Sequence, residues 1–209
     1  MALKEGDKAP GFSAAASNGQ TISLDDYKGK SRVVLYFYPK DDTPGCTIEA
    51  CSFRDHLPSF GKMDAVVLGV SPDGVESHGK FIKKFKLPFI LLSDEVKKIS
   101  KDYGVRIKKN FMGNEYMGVA RTTFIIGKDG KIEKIYEKVK PLGHAKEVLG
   151  YLDSIANPGQ AADMVSCAVL AAPRERQEIL EATDVQTRLR CLIKFLMRDI
   201  RQFKKGDHG

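Results

Sequence analysis

Hydrophobic and polar positions fall into short blocks that alternate between two periods. Val33 to Tyr38 is a continuous apolar run closed by Pro39, which predicts a buried strand. Asp64 to Val70 predicts a second, followed by a turn at Ser71-Pro72-Asp73-Gly74. Val75 to Phe85 sets lysines on one face and Phe81, Ile82 and Phe85 on another, the pattern of a helix. Leu87 to Leu92 reads as a short strand, with Pro88 near its start, where a missing N–H costs least. Asp94 caps a helix through Tyr103 that Gly104 ends. Arg121 to Ile126 and Lys131 to Tyr136 are strands joined by a Lys128-Asp129-Gly130 turn, and Gly143-His144 opens a helix that closes near Ile155. Ahead of all these, Lys4 to Tyr27 holds a tight turn at Asn18-Gly19-Gln20 between short strands, then a capped turn at Ser23 to Tyr27. The alternation predicts an α/β sandwich.

Between Val105 and Ala120 no period is visible, and a long loop is expected there. Phe111, Met112, Tyr116 and Met117 are placed either to line an apolar collar over a site or to pack onto the sheet. After Asn157-Pro158-Gly159-Gln160 the strand signal ends. The expected division is therefore an α/β domain over 1–156 and an all-helical extension over 157–209. In the extension, Met164 to Leu170 reads as a helical turn, and Pro173 begins a helix through Ala182. Thr183 or Asp184 caps another from Val185 to about Lys204. Val185, Leu189, Leu192, Ile193, Leu196, Ile200 and Phe203 form its apolar stripe, with Cys191 and Phe195 on the opposite face.

Composition changes this picture little. A hydrophobic fraction of 42% and a charged fraction of 29% are those of a globular protein with a true core. The net charge of +7 raises nucleic acid as a partner, but the lysines are interleaved with acids, as in Lys128-Asp129-Gly130-Lys131-Ile132-Glu133, and no basic run carries aromatics. No nucleic acid is expected, and no stretch has the length of a membrane span. Four cysteines without a secretory leader point to a reducing, cytoplasmic setting and to reactive or buried thiols. The four histidines and four cysteines lack zinc-ligand spacing, and no phosphate or dinucleotide loop occurs, so neither a metal nor a cofactor is expected.

The candidate chemistry lies just after the first long strand. In Tyr38-Pro39-Lys40-Asp41-Asp42-Thr43-Pro44-Gly45-Cys46 a turn built on prolines and glycine delivers Cys46 to the first turn of an amphipathic helix running to about Pro58. A cysteine there sits among unpaired N–H groups at the positive end of the helix dipole, a setting that favours the reactive thiolate. Thr43 sets a hydroxyl three residues from the sulfur, and Pro39 offers a rigid wall against water. Cys51 follows on the same helix. Residues five apart are rotated by ~140° and separated by roughly 8–9 Å, beyond the ~7 Å a disulfide spans. A Cys46–Cys51 bond would therefore require the helix to unwind. The alternative is that Cys51 is only a small, partly buried residue.

Pro39, Thr43 and Cys46 fit the PxxxTxxC signature of the peroxiredoxins, and the surrounding text resembles the bacterioferritin-comigratory, or peroxiredoxin Q, branch. Gly6 to Phe12 resembles that family's opening phrase. The resemblance spans 1–156 and implies a thioredoxin-like fold, a peroxide substrate and a thioredoxin-like reductant. It also implies that Arg121 is the cation beside the thiolate and that Cys51 resolves the oxidised Cys46. The implied activity is that of an atypical 2-Cys, thioredoxin-dependent peroxidase. It would reduce hydrogen peroxide and organic hydroperoxides through a Cys46 sulfenic acid and a Cys46–Cys51 disulfide.

The tail, from Pro158 to about Lys205, resembles the helical end of the Lon protease N-terminal substrate-binding domain through Ala162-Asp163-Met164-Val165, Arg176 to Glu181 and Asp184 to Leu189. The β-rich part that precedes those helices in that family is missing, and no protease catalytic residue is present. Its apolar stripe is expected to pack on the peroxiredoxin body, on a second copy of the tail or on a partner chain, and the Pro158-Gly159 joint favours the last two. A second functional reading follows: a binding module that recognises partner or unfolded chains through the tail, with the peroxidase part as carrier or redox sensor.

Overall fold

A computed structural model describes residues 3–111, 114–156, 165–166, 170, 172–182 and 184–206. In chain order the elements are β1 (Ser13–Ala15), β2 (Thr21–Ser23), β3 (Arg32–Phe37), α1 (Pro44–Lys62), β4 (Ala65–Ser71), α2 (Val75–Phe85), β5 (Ile90–Ser93) and α3 (Lys98–Asp102). There follow β6 (Arg106–Phe111), β7 (Asn114–Val119), β8 (Thr122–Ile126), β9 (Ile132–Tyr136), α4 (His144–Ala156), α5 (Pro173–Glu181) and α6 (Val185–Gly206). Proximity along the backbone divides the chain into Met1–Val148 and Leu149–Gly209, a division that falls inside α4.

In the first unit, β3 is the middle of a five-stranded sheet ordered β5-β4-β3-β8-β9. It runs parallel to β4 and antiparallel to β8, so Leu35 faces Leu68 on one side and Phe124 on the other. Both faces of β3 are covered, which is why its sequence is apolar throughout. On one face Leu35 and Phe37 join Phe124 and Tyr103 in the main core. On the other, Tyr36 packs against Phe53 of α1 at a ring separation of 4.9 Å, and Phe53 in turn meets Phe60 and His144. Phe53 is fully buried, and its truncation to alanine would cost about 3–5 kcal/mol.

Three expected elements are revised. First, α1 does not stop at Pro58 but runs to Lys62. Proline removes one hydrogen bond and crowds the carbonyl four residues earlier, but buried Phe60 holds the last turn against Phe53. Second, α3 begins at Lys98, although Asp94 still caps it by accepting from the N–H groups of Ile99 (3.0 Å) and Ser100 (2.8 Å). Third, the expected loop over Val105 to Ala120 is the antiparallel hairpin β6–β7, paired from Arg106↔Val119 to Phe111↔Asn114. Its lysines and asparagines hid the strand period. Tyr116 and Met117 are half exposed, so they form no buried collar. Met112 and the side chain of Phe111 lie outside the described residues.

In the second unit, Asp184 accepts from the Thr187 N–H at 2.9 Å and caps α6. Leu170, Ile179, Leu192 and Phe195 make a small core, with Leu189, Cys191 and Leu196 packed on it. This corrects the expected stripe: Phe195 and Cys191 lie on the covered side, whereas Val185, Ile193 and Ile200 are exposed. The apolar sector of α6 is wider than α5 can cover, and the bulkiest side chain takes the covered position. Cys167 and the side chain of Phe203 lie outside the described residues. No helix among the described residues is long and apolar enough to cross a membrane.

Candidate active site

β3 delivers the chain into a turn from Pro39 to Thr43, and α1 starts with Pro44 at its first position. A proline there wastes no hydrogen bond, because the first helical N–H has no partner within the helix. Thr43 precedes the helix in extended geometry, φ −95° and ψ 151°, yet its side chain does not cap the helix. The hydroxyl stands 2.9 Å from Cys46 Sγ and 3.2 Å from the Lys40 carbonyl, and its single hydrogen serves one of them at a time. Cys46 itself is 1% exposed. Pro39 is half-buried at the start of the turn.

Arg121, immediately before β8, reaches the sulfur from the other side. One guanidinium nitrogen, Nη2, lies 3.2 Å from Cys46 Sγ, and Nη1 lies 2.9 Å from Glu49 Oε2. Glu49 is three residues beyond Cys46 on the same helix face and is 1% exposed. Burial pushes its carboxyl up to about 7, against the downward pull of Arg121. The Tyr36 hydroxyl is buried, and burial with Glu49 and Cys46 nearby pushes it well above the usual phenol range. Neither it nor Glu49 Oε1 has a hydrogen-bond partner among the described residues. Gly45 leaves room for the guanidinium: a Cβ there would come within 2.8 Å of Arg121 Nη2 and displace it.

Thus Thr43, three residues before Cys46, and Arg121, 75 positions after it, meet at one sulfur, and Pro39 stands at the head of the same turn. Cys51 lies on the unbroken α1, half-buried and reduced. Sequence reading missed Glu49, the room that Gly45 leaves for Arg121, and the polar residues that fasten the turn, namely Asp41, Ser77, His78 and Lys84. The signal for Glu49 was its spacing from Cys46, one helical turn.

Family comparison meets this geometry directly: the AhpC/TSA family model matches residues 5–135. The chain belongs to the AhpC/TSA family. Peroxiredoxin Bcp of Bacillus subtilis is 50% identical over 157 residues, covering 75% of this chain and 99% of that protein. Peroxiredoxin Bcp of Escherichia coli K12 is 43% identical, over 72% of this chain and 96% of its own length. Among solved structures, Xanthomonas campestris peroxiredoxin Q is 39% identical with a TM-score of 0.66, covering 69% of this chain and 91% of that one. A mutant of Xylella fastidiosa PrxQ is 36% identical with a TM-score of 0.71, covering 75% and 99%. The α/β unit is therefore a thioredoxin-like peroxiredoxin fold, and the protein is a peroxiredoxin enzyme that reduces peroxides with thiols.

A second model, the ATP-dependent protease La (LON) substrate-binding domain, matches residues 81–198. It overlaps the AhpC/TSA match over 81–135, where β8 and most of β9 belong to the five-stranded sheet. Its remainder takes in α5 and most of α6. The chain thus joins a peroxiredoxin to a segment resembling the Lon substrate-binding domain.

Proposed function

We propose that Cys46 is the nucleophile that attacks the peroxide and Cys51 the thiol that resolves it within the same chain. The single observation supporting this most strongly is the convergence of the Thr43 hydroxyl and Arg121 Nη2 on Cys46 Sγ, at 2.9 and 3.2 Å. The Cys46 thiolate attacks one oxygen of ROOH, an S–O bond forms and the O–O bond breaks. The departing RO⁻ takes up a proton and leaves as ROH. Arg121 faces the negative charge that develops along this line, and the Thr43 lone pairs accept from the peroxide proton. Pro39 walls the turn against water. Cys46 is then a sulfenic acid.

Cys51 condenses with that sulfenic acid, forming the disulfide and releasing water. Helical geometry separates the two Cα atoms by roughly 8–9 Å, so the first turns of α1 unwind to bring them within disulfide range. Pro44 and Gly45 at the head of the helix suit that opening. A thioredoxin-like dithiol then reduces the disulfide and becomes oxidised itself. Substrates are hydrogen peroxide and organic hydroperoxides; a bacterioferritin comigratory protein of Xanthomonas campestris, 38% identical, is described for alkyl peroxide reduction. The setting is taken to be the reducing cytoplasm, where thiols are kept reduced.

Peroxide consumption coupled to thioredoxin, its reductase and NADPH tests the cycle. Cys46→Ser is expected to abolish it. Residual turnover within about tenfold of the wild type would refute the assignment, since a nucleophile's loss costs several orders of magnitude.

A further inference from the structure

The turn that carries Thr43 is fastened to a part of the molecule remote from the peroxide chemistry. Asp41 is 7% exposed, and its carboxylate takes three donors. The Tyr38 hydroxyl reaches Oδ1 at 2.7 Å, while the Ser77 hydroxyl (2.7 Å) and His78 Nδ1 (2.9 Å) reach Oδ2. Ser77 and His78 lie in the first turns of α2, and His78 is fully buried. The Asp41 N–H donates to Asp73 Oδ2 at 2.8 Å, and that carboxylate is held in turn by the Ser71 hydroxyl at 2.8 Å. Asp42 takes a left-handed φ of 53° and pairs with Lys84, near the far end of α2, at 2.6 Å. These ties run to β4 and α2. The turn's bonds to α1 are the Thr47 N–H to the Thr43 carbonyl, 2.8 Å, and the Thr43 hydroxyl to Cys46 Sγ, 2.9 Å, and Pro44 contributes no N–H.

We propose that Asp41 is a positioning residue: by locking the turn to α2 it keeps Thr43 in place while α1 unwinds beyond Pro44. The proposal rests on the Cys46–Cys51 cycle above. In that cycle the sulfenic acid has two fates. In the folded site a second peroxide adds an oxygen to the sulfur, giving sulfinic acid and ROH. In the unwound state it condenses with Cys51 and releases water. An anchored turn offers Cys46 a preformed seat, which favours return to the folded site and lengthens its exposure to a second peroxide. A loosened turn shortens that exposure and also slows the first oxidation, because Thr43 is no longer fixed beside the sulfur. The clamp therefore sets the ratio of over-oxidation to disulfide.

The test uses the full chain with Asp41→Asn, Ser77→Ala and, as a control of matched urea midpoint, Ile132→Ala in the core. In the oxidised wild type, amide exchange is expected to leave Asp41 protected while Thr47 to Phe53 exchange. Asp41→Asn and Ser77→Ala should lose that protection and lower the sulfinic-to-disulfide ratio at a fixed peroxide dose. In a Cys51→Ser background they should slow the first oxidation by about tenfold or more, as expected for a misplaced catalytic group. Ile132→Ala should leave protection, ratio and rate as in the wild type. The proposal is overturned if Asp41 exchanges together with α1 in the oxidised wild type, or if Ser77→Ala keeps the wild-type ratio and first-oxidation rate. Should Asp41→Asn not fold, those two measurements still decide. If the oxidised wild type fails to lose two hydrogens between Cys46 and Cys51, the disulfide reading falls separately. The rate in the Cys51→Ser background then judges the clamp.

Discussion

Arg121 and Glu49 form an ion pair 2.9 Å long in which the carboxylate is wholly buried and the guanidinium also reaches the Cys46 sulfur. Burial penalises the charge of Glu49 and pushes its carboxyl up to about 7 in the fold, from the ordinary 4.5. A carboxyl raised in this way binds its proton more tightly folded than unfolded, so its contribution is fully present below about pH 4.5. That contribution is lost as pH rises through about 7. Relative to Glu49→Gln, the urea midpoint of the wild type should fall between pH 5 and 8. Parallel profiles would show that Glu49 does not titrate in this window.

Gly45 offers a way to move the guanidinium without removing it. Alanine at this helical position should raise intrinsic helix stability by up to ~1 kcal/mol, yet its Cβ would come within 2.8 Å of Arg121 Nη2. Gly45→Ala is therefore expected to slow Cys46 oxidation while leaving the fold as stable or nearly so. Arg121→Ala should slow it further, by on the order of 10²–10³, the usual cost of a lost transition-state donor. Stopped-flow oxidation with a urea titration checks both. Unchanged rates in Arg121→Ala would remove the cation from the mechanism.

Much of this site was legible because its signals are local. The apolar run into a proline-glycine turn and then Cys46 fixed the strand, the turn and the helix start, and Thr43 came with them. Arg121 was found only through the family pattern, because its contact with Cys46 spans 75 positions. Glu49 was hidden as one charge among many on an amphipathic helix, and only burial shows it as exceptional. Asp41 and His78 were hidden for the same reason, since their pairing joins a turn to a later helix. The hairpin β6–β7 escaped because polar residues on both its faces leave no period to read. On α6 the period was plain, but the sector exceeded what its neighbour covers, so the covered side could not be chosen from the pattern.

Cys51→Ser is expected to leave the first oxidation intact and to stop recycling by thioredoxin. The Cys46 sulfenic acid should then accumulate and pass to sulfinic acid with excess peroxide. Intact mass against peroxide dose follows both species. A disulfide from Cys46 to Cys167 or Cys191, formed at wild-type speed in this variant, would make one of those the resolving thiol.

A chain ending at Ala156 keeps every strand among the described residues, helices α1 to α4 and all the residues that meet at Cys46. The remaining tail has a core of only four buried apolar side chains among its described residues, Leu170, Ile179, Leu192 and Phe195. It leaves Val185, Ile193, Met197 and Ile200 exposed on α6. Segments of about 50 residues bury too little surface to be firmly stable alone, so the exposed side of α6 is expected to seek a second tail or a partner chain. The shortened chain should fold, reduce peroxide at the wild-type rate and lose any self-association that the full chain shows. Cys167 and Cys191 should be dispensable for turnover under reducing conditions. Sedimentation and peroxide consumption, measured in parallel on both chains, check this. A shortened chain that unfolds or loses activity would place the tail inside the catalytic domain and move the domain boundary away from Ala156.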